Sequence, residues 1–182
     1  MAYYIGQGLG LVATLCCFIG PFWKKKWQML LNTIAANLLV ALNFLLIGKI
    51  GSALVLNLVA IVQSLIMLVH TVKETKVTTI EKVIFLILYV VLGFVGMITA
   101  PGFVPGISVD NLLELMPIVG AVLLMIGVFI RDEQTSRKFS LANALIYTVY
   151  DGIIGTSAIF AQLISVATTS AALYRYRKSN KK

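Results

Sequence analysis

Apolar residues along this chain come in long runs, and the polar stretches between them are short and often charged. "VIFLILYVVLGFVGMITA", residues 83 to 100, carries no charge and is long enough to cross a hydrocarbon core of about 30 Å as a helix. Breaking the sequence at its charged and Gly/Pro-rich points predicts seven such helices, near 3–22, 28–47, 51–71, 82–100, 111–130, 139–154 and 156–174. Only the minimal turn in "DGIIGTSA" separates the last two.

Composition turns these runs into a class. Of 182 residues, 59% are hydrophobic and 12% charged, against about 45–50% and about 25% in an ordinary soluble domain. A soluble chain of this length cannot bury such an excess. An all-α polytopic membrane protein is the expectation, with the lipid bilayer as its first partner. No basic residue precedes the first run, since the first is Lys24, so that run is read as a retained span and not a cleaved signal.

The charges then set the topology. Lys24, Lys25 and Lys26 follow the first span; Lys73, Lys76 and Lys82 follow the third; Arg131, Arg137 and Lys138 follow the fifth; Arg175, Arg177, Lys178, Lys181 and Lys182 follow the seventh. With seven spans, fourteen of the fifteen basic residues fall on one side and only Lys49 on the other. Basic loops are retained in the cytoplasm, so the amino terminus is expected outside and the carboxyl terminus inside. Trp23 and Trp27 bracket the first basic cluster, where interfacial aromatics belong. The net charge of +8 is scattered over separate short loops, which argues against nucleic-acid binding.

Reactive chemistry is scarce. Cys16 and Cys17 are adjacent, lack C-x-x-C spacing and read as small packing residues, and His70 is the sole histidine. No metal site, cofactor or catalytic constellation is implied, and an enzyme is not expected.

The chain also resembles itself at a spacing of about 105 residues. "FIGPFW" at 18–23 matches "MIGVFI" at 125–130, and "ANLLVALNFLLIGKIGSA" at 36–53 matches "ANALIYTVYDGIIGTSA" at 142–158. The predicted organisation is a three-helix repeat over 1–76, a linker span and outer loop over 77–106, and a second repeat with a basic tail over 107–182. Because each repeat has an odd number of spans, the single linker helix makes the two copies parallel, with a cleft between them.

The segments "AYYIGQGLGLVAT", "NFLLIGKIGSALVLN", "ELMPIVG" at 114–120 and "GIIGTSA" resemble the YgjV family of small bacterial inner-membrane proteins, over about residues 2 to 178. That resemblance implies a bacterial inner-membrane location and a layout similar to the SWEET, semiSWEET and PQ-loop transporters, with the 3+1+3 plan shared by the PnuC vitamin transporters. SWEET transporters place an asparagine on the third helix of each repeat. Here Asn57 occupies that place in the first repeat and Gln162 in the second. Their hinge prolines are matched only in part: Pro21 and Pro117 are not repeat mates, and helices 2 and 6 have none.

Polar residues inside spans are costly and so indicate where a site could lie. Asn143, Tyr147 and Tyr150 share one face of helix 6, Asn32 and Asn43 share one face of helix 2, and Asn57 lies two turns from Ser64 on helix 3. The candidate solute-binding residues are Asn57, Gln162, Asn143, Tyr147, Asn43 and Tyr150. Gln7, Asn32 and Asn37 read as helix-packing residues, as does the Gly6/Gly10 face. His70 reads as interfacial, and Asp110 and Glu114 as outer-loop acids. Asp151 has two readings, a coupling-ion residue or, preferred, a cap on the turn at Gly152.

Neutral amides and tyrosines suit a small neutral hydrogen-bonding solute, such as a sugar or nucleoside-like molecule, moved by rocking of one bundle against the other. The alternative is an accessory or structural membrane protein whose amides only join helices. A homo-oligomer is compatible with this layout and not implied by it.

Overall fold

The computed structural model describes residues 1–19, 26–130 and 133–179, and among them the chain forms seven α-helices and no strand. They are α1 (Ala2–Ile19), α2 (Lys26–Leu46), α3 (Ser52–Val72), α4 (Thr79–Ile98), α5 (Val109–Phe129), α6 (Glu133–Ile154) and α7 (Ile159–Ser179). Five of them, α1 to α5, are long and apolar enough to cross a membrane; α6 opens with "EQTSRK" and α7 ends with "YRYRKS", which lowers their hydropathy. Pro21, Trp23, Lys24, Lys25, Arg131, Lys181 and Lys182 lie outside the described residues, as do the side chains of Lys26, Arg175, Arg177 and Lys178.

Local chemistry sets the helix ends. α4 starts three residues earlier than the predicted span because Thr78 and Glu81 form a capping box: the Glu81 N–H donates to Thr78 Oγ1 at 3.2 Å and the Thr78 N–H to Glu81 Oε2 at 2.6 Å. Ser108 caps α5, accepting from the Asn111 N–H at 3.1 Å, while Asn111 Nδ2 donates to Val104 O and Gly106 O and so fastens the preceding loop. His70 Nε2 lies 2.8 Å from Glu81 Oε1, tying the end of α3 to the start of α4.

Neighbouring helices close a ring in the order α1, α2, α3, α5, α6, α7 and back to α1, with α4 lying against α3 and α5. Large apolar side chains such as Leu11, Leu58, Ile87 and Leu163 cover the outside, as a lipid-facing surface requires. The best-packed part is the α3/α4/α5 wall, where Leu56, Val59, Phe85, Tyr89, Ile118 and Met125 are buried together. Glycines allow this approach. A methyl at Gly96 would sit 2.9 Å from Ser52 Cα and 3.1 Å from Gly51 O, whereas one at Gly93 would meet only the flexible Ile118 side chain. Gly96→Ala is therefore expected to destabilise the protein by about 1–3 kcal/mol through backbone overpacking, and Gly93→Ala by less, as read from melting temperatures in detergent.

The two ends of the chain make matching contacts. α2 and α6 both stop at a left-handed glycine, Gly48 (φ 75°) and Gly155 (φ 70°), and in each turn an N–H reaches back five residues, Lys49 N–H to Phe44 O and Thr156 N–H to Asp151 O. Beyond these turns the Gln7 Oε1 of α1 accepts from the Ser157 N–H at 2.6 Å, and the Glu114 Oε2 of α5 accepts from the Ser52 N–H at 2.6 Å. Ser157 Oγ donates to Gln7 O and Ser52 Oγ to Glu114 O, at 2.6 and 2.7 Å. Matching positions are thus 107 apart on α1/α5 and α2/α6 but 105 apart on α3/α7, because the first turn holds two residues more.

Candidate functional site

Inside the ring lies a cavity of about 100 Å³, bordered by Cys17, Ala36, Asn37, Val40, Leu56, Asn57, Ala60, Tyr89, Ala121, Leu124, Asn143, Tyr147, Ala161 and Gln162. Ten of these fourteen form five pairs at the spacings just given: Cys17 with Leu124, Ala36 with Asn143, Val40 with Tyr147, Leu56 with Ala161, and Asn57 with Gln162. Every ring helix contributes, and α4 adds Tyr89. The polar side is uneven: α6 and α7 bring Asn143, Tyr147 and Gln162, while α2 and α3 bring Asn37 and Asn57.

Four of the six candidate residues, Asn57, Gln162, Asn143 and Tyr147, therefore border one space. Asn43 and Tyr150 do not. Asn43 is fully buried, its Nδ2 donating to Gly6 O at 2.7 Å and its Oδ1 accepting from Thr156 Oγ1, so it joins α1, α2 and the α6–α7 turn. Asn32 shares that face and likewise spends its amide on α1, donating to Cys16 O at 2.9 Å. The face common to Asn32 and Asn43 looks at α1, which leaves Asn37, about 140° round the helix from Asn32, to border the cavity. Asn37 had read as a packing residue, and Cys17 likewise. Gln7 is spent on Ser157 and Gly155, and Gly6 and Gly10 allow α1 to approach α2 and the α7 turn, as packing residues do.

Tyr150 belongs to a second hollow, of about 380 Å³, at the Lys49 end of the ring. It is bordered by Lys49, Phe103, Asp110, Asn111, Glu114 and Tyr150 together with the turns at Gly48 and Pro101–Gly102. Tyr150 Oη points to Glu114 Oε1 at 3.4 Å, and its ring meets Tyr147 edge to face at 6.4 Å between centroids. Tyr147 borders the cavity and Tyr150 the hollow, so their ring contact links the two. Glu114 was expected in the outer loop; it stands in the second turn of α5 and reaches α3. Nothing in its local sequence signals this, because the contact is made across helices.

The cavity has unmet hydrogen-bonding capacity. Asn143 Oδ1 is buried without a partner. Gln63 Oε1 accepts from Tyr89 Oη at 2.6 Å and leaves its own Nε2 unpaired behind that tyrosine. Tyr147 Oη donates to Pro117 O at 3.3 Å, and Pro117, lacking an N–H, interrupts the hydrogen-bond ladder of α5 beside the cavity. Asn57 Nδ2 bonds to Ala53 O in its own helix at 2.7 Å. Among the described residues there is no group of three or more His, Cys, Asp or Glu that could hold a metal ion.

A family model for Imp-YgjV, a bacterial inner membrane protein, matches residues 4–181. The chain belongs to this family. It is thus a multi-pass protein of the bacterial inner membrane, consistent with its lipid-facing surface. No curated protein and no solved structure matches it.

Proposed function

We propose that this membrane protein is an alternating-access carrier for a small, neutral, hydrogen-bonding solute, built from two parallel three-helix repeats joined by α4. The observation that carries this reading is the central cavity, bordered by matching positions of the two halves and holding an orphaned acceptor, Asn143 Oδ1. A buried acceptor without a partner costs about 1–3 kcal/mol, and a solute hydroxyl or amine supplies the missing donor. Tyr147 and Tyr89 offer ring faces or edges, and Gln162 and Asn57 further amides.

At about 100 Å³ the cavity has room for a few waters and is well short of the roughly 300 Å³ at which drug-sized pockets begin. In this reading a sugar-sized solute enters only as the bundles part. The Lys49 end is the outer face in this reading. The accessory-protein reading draws on the hydrogen bonds of Gln7, Asn32 and Asn43, all of which join helices.

The test is thermal stabilisation of the detergent-purified protein by a panel of sugars, nucleosides and vitamins. A compound of the panel is expected to raise the melting temperature, and Asn143→Ala to weaken its binding about tenfold or more while the variant stays folded. If no compound stabilises the protein and Asn143→Ala merely changes its melting temperature, the cavity is a packing feature and the accessory role stands.

A further inference from the structure

Asp151 is a fully buried acid that the central-site reading leaves unused. It is 1% exposed, and neither carboxylate oxygen has a hydrogen-bond partner. Among the described residues no Lys, Arg or His pairs with it; the ion pair that does form is His70–Glu81. An ionised carboxylate with neither donor nor counter-charge in a low-dielectric interior costs several kcal/mol.

The turn does not require an acid at this place. Its side chain caps nothing, so the preferred turn-cap reading fails. The backbone bond from the Thr156 N–H to Asp151 O has its counterpart in Lys49 N–H to Phe44 O, where the matching residue is a fully buried phenylalanine. An apolar side chain therefore satisfies the same turn, and the carboxyl at 151 serves something other than folding.

The surroundings narrow what that is. Titratable groups near it are Tyr147 and Tyr150 on its own helix, with Glu114 and, farther out, Asp110 from α5; Lys49 borders the adjoining hollow and is exposed; α7 between Ile159 and Ala171 brings none. An alkali-metal ion needs several oxygen ligands at once; among the described residues no group of three His, Cys, Asp or Glu that could hold a metal ion includes Asp151, and in the same turn Thr156 Oγ1 is bonded to Asn43 Oδ1. A proton needs only the carboxyl itself.

We propose that Asp151 is a proton-coupling site: its carboxyl holds a proton while the ring is closed and gives it to water when the Lys49 end opens, so that opening and proton release are linked. This rests on the alternating-access reading for its coupling, and on burial alone for the proton. Asp151 stands one turn from Tyr147 toward the Lys49 end and next in sequence to Tyr150, which borders the hollow there, so opening of that end is the movement that brings water to its carboxyl.

The proton is tested without any solute, by infrared spectroscopy of the full chain in phosphatidylethanolamine/phosphatidylglycerol vesicles. A carboxylic-acid C=O band is expected at neutral pH, shifted in D₂O and absent from Asp151→Asn. Its absence from the wild type, or its persistence in Asp151→Asn, overturns the proposal; so does sodium-dependent thermal stabilisation lost in Asp151→Asn without such a band.

Coupling is tested by the rate of Cys17 labelling from the Lys49 face divided by that from the other face, in the Cys16→Ala background, with a membrane-impermeant thiol reagent. The thiol's own ionisation cancels in that ratio. Linkage requires the ratio to fall several-fold as pH is lowered through neutrality, because protonation favours the closed form, and to lose this dependence in Asp151→Asn. A pH-dependent ratio unchanged in Asp151→Asn overturns the coupling. Should the band be present but labelling occur from neither face, the alternating-access reading has failed and not the protonation of Asp151.

Discussion

Glu114→Ala is expected to lower the stability of the protein by about 3 kcal/mol, and Glu114→Gln by less than half as much. Helix α3 begins at Ser52 after Gly51, whose side-chain-less position gives its first turn no local cap. Glu114 supplies one from α5, its Oε2 accepting from the Ser52 N–H at 2.6 Å and sharing the single Ser52 hydroxyl proton with Glu114 O, each oxygen 2.7 Å from Ser52 Oγ. A carboxylate there also opposes the positive end of the helix dipole. Hydrogen bonds to a charged group contribute about 1.5–3 kcal/mol each, and alanine leaves the fully buried Ser52 with an orphaned N–H.

The molecule contains its own control. Gln7 makes the matching contact to Ser157 with an amide oxygen at 2.6 Å, so a neutral acceptor suffices for the geometry and the glutamine variant retains it. Melting temperatures in detergent check this, with a drop of about 6–12 °C expected for alanine from about 2–4 °C per kcal/mol at this chain length. An alanine variant as stable as wild type would remove Glu114 from the list of residues that join the two halves.

The two contacts also bear on motion. Each binds the first turn beyond one half's long hairpin to the first helix of the other half, and both lie at the Lys49 end of the ring. If the bundles part at that end, as the proposed carrier requires, both contacts break. Breaking costs more at Glu114 than at Gln7, so the proposed opening is lopsided, easier along α1/α7 than along α3/α5. Pro117, three residues from Glu114 in α5, lacks the N–H that would complete the helix ladder there and is the point at which that helix resists bending least.

Much of this architecture was legible because a membrane punishes misplaced charge. The alternation of basic loops with apolar runs is a global constraint, and seven helices satisfied it. The helix starts were less legible: Thr78 and Ser108 extend α4 and α5 toward their amino ends by capping chemistry, and Glu133 to Lys138 form a polar first turn and more of α6. Hydropathy sees neither.

At the site, periodicity gave the face correctly but not the depth. Asn143, Tyr147 and Tyr150 do lie on one side of α6, yet Tyr150, two turns along, meets Glu114 and Phe44 and not the cavity. On α2 the shared face of Asn32 and Asn43 is real and looks at α1. Which neighbour a face meets is decided by tertiary packing, and no local pattern carries it. The "SA" segments at 52–53 and 157–158 hold the matching Ser52 and Ser157 contacts, while "AN" at 36–37 and 142–143 matches with one residue of slippage against the 107-residue spacing of the turn glycines Gly48 and Gly155.

The most direct test of a cavity that opens alternately uses a thiol already in place. Cys17 borders the cavity and is free, and Cys16→Ala leaves it the sole cysteine. A charged methanethiosulfonate reagent reacts with a thiolate, which forms only where water reaches the sulfur. In vesicles of each orientation, Cys17 is expected to be labelled from both faces, and a panel compound that stabilises the protein to slow labelling from each. Labelling from neither face until the protein is denatured would overturn alternating access and leave the ring of helices as a closed structural unit.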